Sequence, residues 1–504
     1  MLRVSRERAH GVFKIARNQT EALSSLNNED AAGITMTDLH WKSAFDLAAM
    51  IRQRELAPSE LMAATLKRIE ALNPSINAFC AMRADEAIAE ARALDEKIAR
   101  GEKVGPLAGV PLGVKDLEGV AGMATTFGSV PFKNNIAKED SIQVARLKAA
   151  GAIVVGKTNT PEFGYMAFTR NLLYGVTRNP WNLERTPGGS SGGSSAAVAS
   201  GMVPLATASD WGGSIRVPAC YTGCFGIKST QGLIPAYPRL GMTQWVDFAM
   251  VGPITRTVRD AAIYLDAVVG YHPVDASSLR HPGFSFDATL EKLPARLRIA
   301  FHPDFGHPVQ PDVRRAVAAA VEAFKELGHA VTVLDEQVLE TSDAWRTIGS
   351  FQTLANLGAF FENNREQYGR SFISGVESAT KTTARDYGDA YRVRTRFNEW
   401  IRGIFERFDL LLTPTMPSEA FGAAGPPPRE IDGRALRDPM EALPFTYPFN
   451  FSGHPAATVR AGKTASGLPC GLQIVAERHR DDLVMQAAHG FEIARPWNDD
   501  WPRV

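Results

Sequence analysis

One arrangement of residues occurs twice along the chain and restricts the fold class: a helix that a glycine ends, followed at once by a short apolar strand. Ser141 is suited to be the N-cap of a helix that Gly151 closes, and the apolar run Ala152–Val155 follows directly. The segment Val313–Leu334 repeats this arrangement around Gly328. Apolar runs that alternate with helices are typical of buried strands in a sheet that helices cover. The sequence therefore predicts an α/β fold.

Other segments fit the same class. A helix is predicted from an N-cap at Ser59 to the pair Asn73-Pro74, and another over residues 84–100. Further apolar runs are predicted to be strands: Leu107–Val114, Leu410–Leu412, Ala456–Val459 and Gly471–Val475. Gly422–Glu430 has the composition of a surface loop, and the sequence contains no internal repeat and no Pro-rich spacer. We therefore expect one large domain.

The composition excludes several classes of protein. The 504 residues include 55 Lys and Arg against 55 Asp and Glu, so the formal net charge is 0 with neutral His. A nucleic-acid-binding protein needs an excess of basic residues, so nucleic acid is not an expected partner. Hydrophobic residues at 44% and charged residues at 22% are typical of folded proteins and exclude general disorder. Four cysteines are too few for a disulfide scaffold and fit the reducing cytoplasm.

Two segments raise the question of targeting or membrane insertion. No charged residue occurs between Thr186 and Ser209, but the glycines and serines of this stretch make it too polar to span lipid. Residues 1–35 lack the apolar core of a secretory signal, and their basic residues only faintly resemble a transit peptide. We predict that residues 1–35 are a disordered N-terminal tail, or the product of an upstream start codon, and that the patterned chain begins at Met36.

The most informative residues form a serine- and glycine-rich segment, Gly188–Ser195, followed by a second such stretch, Asp210–Arg216. A phosphate-binding loop would need a lysine after the first glycines, and none follows them. The nucleophile-elbow pattern G-x-S-x-G is matched around Ser190, but that motif needs a strand directly before it, and the prolines of residues 179–187 indicate a loop. A flexible linker is excluded because the apolar run Ala196–Leu205 follows directly.

The remaining chemistry is a pair of serines served by a lysine. Glycines beside a serine let backbone N–H groups approach a substrate and point at a developing oxyanion, and Gly212-Gly213-Ser214 suits that task. The base would be Lys115, at the end of an apolar run. A free lysine has a pKa of about 10.4 and is a poor base at neutral pH, but burial lowers such a pKa by up to about 3–5 units. These residues alone leave open a lysine that only reaches from the sheet edge to solvent.

Together these residues resemble the amidase signature family of hydrolases, which use a Ser–cis-Ser–Lys triad. The segment GVPLGVKD around Lys115 resembles the lysine motif of the family, and GGSSGGSSAAVASGMVPLATASDWGGSIRVPA resembles its signature stretch. The separations of 75 positions from Lys115 to Ser190 and 24 from Ser190 to Ser214 are those of the family triad. Weaker similarity covers nearly all of the chain after Met36. The resemblance implies one catalytic domain over residues 36–504, with a mixed, twisted β-sheet core covered by helices on both faces.

The resemblance also implies catalytic roles. Ser214 would be the nucleophile, Ser190 the bridging serine held by a cis peptide bond, and Lys115 the base in acylation. The conjugate acid of the lysine would then protonate the leaving amine through the bridging serine. The oxyanion hole would consist of the backbone N–H groups of Trp211, Gly212, Gly213 and Ser214.

Other residues would support this machinery. Asp210 and Arg216 bracket the loop of Ser214, and we expect a structural ion pair between them; Ser191 would support the triad from beside Ser190. The family commonly has a smaller residue where Trp211 stands, so we expect the indole to reshape the pocket or to gate it.

A loop of the family near the site indicates where the substrate binds. The substrate-binding candidates are Thr126, Phe127, Gly128, Tyr165, Met166 and Trp211. For each aromatic residue, packing in the core is the alternative interpretation. If several of these side chains line the pocket, the substrate carries a bulky apolar or aryl group.

The sequence therefore predicts an enzyme that hydrolyses a small-molecule carboxylic amide through an acyl-serine intermediate. No cofactor and no metal are expected, because the pair Cys220 and Cys224 lacks a second Cys/His pair to complete four ligands. No membrane is expected as a partner, and a homodimer is left open. Three alternatives remain: hydrolysis of an ester or carbamate by the same triad, a glutamyl-tRNA amidotransferase A-type subunit, and a non-catalytic binding protein on the same fold.

Overall fold

The computed structural model describes residues 39–236, 248–362 and 365–504. The tail predicted for residues 1–35 lies outside these ranges. The helices are α1 Ala44–Gln53, α2 Pro58–Ile76, α3 Ala84–Ala99, α4 Ile142–Ala149, α5 Gly192–Ala199, α6 Arg216–Thr222, α7 Val258–Val268, α8 Phe286–Thr289, α9 Pro311–Glu326, α10 Ser342–Phe361, α11 Arg370–Ala379, α12 Ala384–Arg407, α13 Tyr447–Ser452 and α14 Asp481–Ala494. Within the described ranges, none of the helices is both long enough and apolar enough to cross a membrane.

Most of the strands belong to one mixed sheet. The strands are β1 Phe79–Met82, β2 Pro111–Lys115, β3 Ile153–Thr158, β4 Arg170–Asn171, β5 Gly175–Val176, β6 Leu205–Asp210, β7 Phe225–Lys228, β8 Met250–Thr255, β9 Arg298–Phe301, β10 Ala330–Val333, β11 Leu410–Pro414, β12 Glu430–Ile431, β13 Arg434–Ala435, β14 Ala456–Lys463 and β15 Pro469–Ala476. The sheet has 11 strands in the order β1-β3-β2-β6-β8-β7-β14-β15-β11-β9-β10. Two parallel groups, β3-β2-β6 and β11-β9-β10, flank a centre in which the strands pair antiparallel.

Helices cover both faces of this sheet, which confirms the predicted α/β class. Along β3, Val154 belongs to one apolar cluster, whereas Ile153 and Val155 belong to another. Successive side chains of a strand point to opposite faces, so each cluster lies on its own side of the sheet. The first cluster contains residues of α4 and α7, and the second contains residues of α2, α3 and α5.

Element ends differ from the sequence predictions where proline or the sheet edge is involved. The helix predicted to begin after Ser59 begins at Pro58, because proline has no N–H to lose in the first turn. Its predicted end at Pro74 is also wrong: the helix continues to Ile76, and the N–H of Asn77 closes the last turn onto Asn73 O at 2.7 Å.

Two of the predicted strands also depart from the predicted pattern. The strand predicted over Leu107–Val114 starts only at Pro111, and a turn precedes it. The strand predicted after Gly328 forms, but it is the edge strand β10, and 60% of Val333 is exposed. An apolar run therefore marks a strand here without making it a buried one.

The parallel group β3-β2-β6 brings the candidate residues to one place. Lys115 is the last residue of β2, and Asp210 is the last residue of β6. Because β2 is parallel to both β3 and β6, the carboxyl ends of all three strands meet at one edge of the sheet. The segments that follow them carry Phe127, Tyr165 and Ser214.

Candidate active site

Lys115 is completely buried at the carboxyl end of β2. Its Nζ lies within hydrogen-bonding distance of Ser190 Oγ at 2.8 Å, Ser191 Oγ at 2.8 Å and Ser209 Oγ at 2.9 Å. Its backbone N–H donates to Thr207 Oγ1 at 3.0 Å, which holds the end of the strand against β6. The side chain does not reach solvent, so the alternative of a sheet-edge lysine does not describe it. An amine among hydroxyl groups is placed to exchange a proton with a serine.

Ser190 lies on irregular chain directly before α5. The Gly189–Ser190 peptide bond is cis. A Cβ at Gly189 would lie 2.6 Å from Phe168 N, so only glycine allows the two segments to approach this closely. Residues 186–191 form no strand, so the strand that a nucleophile elbow requires does not precede this serine.

Ser214 lies on the loop between β6 and α6, and a buried ion pair shapes this loop. The Asp210 carboxylate accepts hydrogen bonds from the N–H of Gly213 at 2.6 Å and of Ile215 at 3.1 Å, and it pairs with Arg216 at 2.9 Å. Burial by itself raises the pKa of Asp210, but the charge and hydrogen bonds of Arg216 outweigh burial and hold that pKa well below its usual value. The carboxylate therefore stays ionised and keeps its hold on the loop.

The guanidinium of Arg216 extends this network to distant elements. It donates to Thr446 O at 2.8 Å, Asn450 Oδ1 at 2.6 Å and Gln473 Oε1 at 2.7 Å. Asn450 in turn donates to Asp210 O at 2.9 Å. The sequence predicted the ion pair but not these three partners, which come from residues about 230–260 positions downstream.

The predicted oxyanion-hole donors differ in how they are bonded. The N–H of Gly213 points at Asp210 and is occupied. In the described part of the chain, no hydrogen bond uses the backbone N–H of Trp211, of Gly212 or of Ser214. The indole Nε1 of Trp211 is buried without a hydrogen-bond partner in the same part of the chain. Of the four predicted backbone donors, the N–H groups of Trp211, Gly212 and Ser214 therefore remain to bind a negative oxygen.

A cavity opens beside the two serines. Ser190, Ser209 and Ser214 line one part of it. Apolar and aromatic residues form most of the remainder: Leu117, Phe127, Phe163, Tyr165, Trp211, Ala249, Val251 and Leu357. Helix α10 adds uncharged polar side chains: Gln352, Thr353 and Asn356. Because Ser190 and Ser214 both border this cavity, a carbonyl bound there can meet both hydroxyl groups.

Three of the six predicted substrate-binding residues line this cavity: Phe127, Tyr165 and Trp211. The other three are not part of its described lining: Thr126, Gly128 and Met166. Thr126 turns away because its hydroxyl and its N–H both donate to the buried Asp116 carboxylate, the N–H at 3.0 Å. Phe127 follows in a left-handed backbone conformation, with φ of 56°, and its N–H donates to Asp116 O at 3.0 Å. Asp116 thus holds the backbone that positions Phe127 at the cavity.

Aromatic rings join the cavity to α10 and α11, which no motif in the sequence indicated. The Trp211 ring lies 5.5 Å from the ring of Trp345. A Cβ at Gly349 would lie 2.7 Å from Cζ2 of Trp211. Tyr165 lies 6.3 Å from Trp211, and its hydroxyl occupies the space that a side chain at Gly375 would need. The absence of a side chain at Gly349 on α10 and at Gly375 on α11 therefore leaves the space that the rings of Trp211 and Tyr165 occupy.

The cysteine pair that raised the question of a metal lies apart from this chemistry. Cys220 and Cys224 are both buried and free, and burial raises the pKa of the Cys224 thiol to about 11. Within the described residues, no group of three or more His, Cys, Asp or Glu side chains could hold a metal ion.

Comparisons with known proteins identify the family of this chain. The family model described as Amidase matches residues 60–485. An Acylamidase of Rhodococcus erythropolis is 39% identical and covers 93% of this chain and 98% of its own length. The A-type subunit of the Glutamyl-tRNA(Gln) amidotransferase of a Cyanothece species is 33% identical and covers 91% of this chain and 99% of its own length. The crystal structure of a bacterial aryl acylamidase of the amidase signature enzymes superposes with a TM-score of 0.85 at 32% identity, over 92% of this chain and 98% of that one.

Proposed function

The chain belongs to the amidase signature family of amide-hydrolysing enzymes, and we propose that it cleaves a carboxylic amide through an acyl-serine intermediate on Ser214. One observation carries this proposal. The Nζ of Lys115 lies 2.8 Å from Ser190 Oγ, and Ser190 borders the same cavity as Ser214. The catalytic domain of this proposal comprises residues 36–504.

Acylation begins when Ser214 Oγ attacks the carbonyl carbon of the amide. Its proton passes to Ser190 Oγ, while the proton of Ser190 passes to the neutral amine of Lys115. The carbonyl oxygen becomes an oxyanion and accepts hydrogen bonds from the N–H groups of Gly212 and Ser214. The burial of Lys115 and the position of its Nζ among three serine hydroxyl groups support this role.

The leaving amine then takes a proton by the reverse route. The tetrahedral intermediate collapses, the C–N bond breaks, and Ser190 donates its proton to the nitrogen while Lys115 replaces it. Water next attacks the acyl ester of Ser214 and gives its proton to the same relay. The second tetrahedral intermediate then collapses, its C–O bond to Ser214 breaks, and the relay gives the proton to Ser214 Oγ. The free serine is thereby restored, and the carboxylic acid leaves and ionises to the carboxylate.

The lining of the cavity supports a substrate with a bulky apolar or aryl group. Phe127, Phe163, Tyr165 and Trp211 form one side, and large aromatic rings bind such groups with a large buried area. The polar side chains of α10 on this cavity are uncharged. The relatives named Acylamidase and aryl acylamidase support the same class of substrate.

Labelling of the nucleophile tests the mechanism. A fluorophosphonate probe should label the wild-type protein at Ser214, and Ser214→Ala should abolish both labelling and amide hydrolysis. Ser190→Ala is the matched control, because it removes the proposed bridging serine. This variant should be labelled more slowly, but still at Ser214. Labelling at Ser190 in the Ser214→Ala variant would contradict the assignment and support the elbow interpretation.

A substrate panel tests the reaction. The purified chain alone, without ATP or tRNA, should hydrolyse aryl and aliphatic amides. Activity restricted to esters or carbamates would favour that alternative, in which the same triad acts on a better leaving group. Activity only with partner proteins and tRNA would favour an amidotransferase A-type subunit.

The cellular setting belongs to the same proposal. All four cysteines are free thiols, as expected of a protein kept in the reducing cytoplasm. A periplasmic or extracellular location of the tagged full-length chain in fractionated cells would contradict this.

A further inference from the structure

The peptide group between Trp211 and Gly212 connects the candidate oxyanion hole to α10. Its carbonyl oxygen, Trp211 O, accepts a hydrogen bond from the indole Nε1–H of Trp345 at 3.2 Å. This peptide bond is not among the cis bonds of the described chain, and in a trans peptide the C=O and the N–H point in opposite directions. A partner that fixes the carbonyl therefore fixes the direction of the N–H as well. That N–H belongs to Gly212, and in the described ranges no acceptor holds it.

The next two peptide groups of the loop are held in the same manner. The carbonyl of Gly212 accepts a hydrogen bond from Thr446 Oγ1 at 2.6 Å, and the N–H on its other side donates to Asp210. The carbonyl of Gly213 accepts from the N–H of Val217 at 2.7 Å. Each of these carbonyls thus has a donor behind it. The donor to the carbonyl of Trp211 is a side chain of a separate helix, α10.

Packing reinforces this hydrogen bond. A Cβ at Gly212 would lie 2.7 Å from Cζ2 of Trp345, so the indole ring lies directly against the backbone of the loop. On its other side, the ring lies 5.5 Å from the ring of Tyr447. The indole is therefore confined between the loop and α13, and its N–H keeps its direction toward the carbonyl.

We propose that Trp345 is a positioning residue of the oxyanion hole. Its indole N–H holds the Trp211 carbonyl, and this hold aims the N–H of Gly212 into the cavity beside Ser214. A hydrogen bond to the carbonyl also polarises the peptide group and makes its N–H a better donor. The inference rests on the proposed acyl transfer at Ser214.

The reaction step in which this hold matters is the formation of the oxyanion. The substrate carbonyl is neutral in the ground state and carries negative charge in the transition state, so a well-aimed N–H contributes mainly to the transition state. Loss of the hold should therefore lower kcat and leave KM nearly unchanged.

A conservative pair of variants tests the hold. Trp345→Phe keeps an aromatic ring but removes the N–H. Trp400→Phe is the matched control, because Trp400 packs against the same apolar cluster and its Nε1 has no hydrogen-bond partner in the described chain. For amide hydrolysis we expect Trp345→Phe to lower kcat about tenfold with KM within about twofold, and Trp400→Phe to leave both unchanged.

An oxygen ester and the thionoester of the same acyl group separate an oxyanion role from a merely structural one. Sulfur accepts hydrogen bonds more weakly than oxygen, so Trp345→Phe should slow the oxygen ester more than the thionoester. Equal losses on both substrates, or a change in KM alone, would overturn the proposal.

Two further results keep the test decisive. If Trp345→Phe does not fold, replacement of Trp345 by benzothienylalanine removes the N–H while keeping the shape of the ring, and the same loss is expected. If the wild type hydrolyses none of these amides and esters, the proposed function fails. If the wild type is active and Trp345→Phe matches Trp400→Phe, only the role of Trp345 fails.

Discussion

The candidate site is built from two regions that hold their residues by different forces. The polar floor consists of Lys115, Ser190, Ser191, Asp210 and Gly212–Arg216, and hydrogen bonds and a buried ion pair fix it. The aromatic wall consists of the side chains of Tyr165 and Trp211 with the helices α10 and α11, and rings packed against rings and glycines fix it. The floor carries the groups proposed to react, whereas the wall shapes the space that a substrate fills.

This difference matches what each region has to do. Hydrogen bonds and ion pairs depend on direction and distance, so they can hold reacting atoms within a few tenths of an ångström. Apolar packing has no direction and can be rearranged by changing one side chain. Changes in the floor should therefore abolish the reaction or the fold, and changes in the wall should alter which substrates react.

The largest expected effect is the loss of the lysine in the floor. Lys115→Ala should lower kcat/KM for an amide about 10³-fold, because amine departure requires proton donation through the relay. The loss should be much smaller for a nitrophenyl ester of the same acyl group, since a phenolate leaves with little help. Parallel measurements on the two substrates check this, and equal losses would mean that Lys115 only supports the site.

The ion pair between Asp210 and Arg216 should contribute to the stability of the fold rather than to the chemical step. Arg216→Met leaves the Asp210 carboxylate buried and unpaired, which should cost about 3–5 kcal/mol of unfolding free energy. Urea unfolding followed by circular dichroism measures the loss. Arg315→Met is the control, because Arg315 pairs with Asp312 on the surface, where ion pairs contribute little. A loss as small as that of the control would show that the loop does not depend on the pair.

Another buried lysine, Lys228, should make the stability of the protein depend on pH. Burial and the charge of Arg216 lower the pKa of Lys228 to about 7, although Asp210 and Asp481 oppose them. Between pH 7 and the value of 10.5 in the unfolded chain, the unfolded state binds more protons than the folded state. Stability from this residue should therefore rise with pH across that window, by about 1.4 kcal/mol per pH unit at most, and level off below pH 7.

Comparison of wild type with Lys228→Met across pH 6–10 measures this slope. The stability of the wild type relative to the variant should increase toward high pH, while Lys325→Met, a surface control, should show no such trend. A flat difference would mean that Lys228 stays charged in the folded protein throughout this range.

The smallest effect is expected in the wall, and it should concern specificity. Gly349→Ala places a methyl group 2.7 Å from Cζ2 of Trp211 and should push the indole toward the cavity. We expect the ratio of kcat/KM between a bulky and a small amide to fall about tenfold, with little loss on the small one. Gly388→Ala on α12 has open space around the added methyl group and is the control. An unchanged ratio would show that the position of the Trp211 ring does not determine which amides the enzyme prefers.

Much of the polar floor could be predicted from the sequence because its residues lie in short, contiguous motifs. The cap Ser141, the strand after Gly151 and the position of Lys115 at the end of an apolar strand follow local rules of capping and apolar patterning, and the structure confirms them. The parallel order of β3-β2-β6 then brings the motif residues to one edge. Thr126 and Met166 were predicted for the pocket but lie outside its described lining, because a motif gives neighbours in sequence and not the direction of each side chain.

The sequence by itself determined the α/β class, the apolar strands of the core and the serine–glycine–lysine motifs, since each depends on residues a few positions apart. Only the tertiary structure decided that Gly213 donates to Asp210, that Trp345 holds Trp211 O, and that Gly349 makes room for an indole. The two tryptophan contacts join segments that are more than 130 positions apart, and they leave no periodic signal in either segment. A glycine or a tryptophan in a helix becomes part of a site only when packing brings its partner against it.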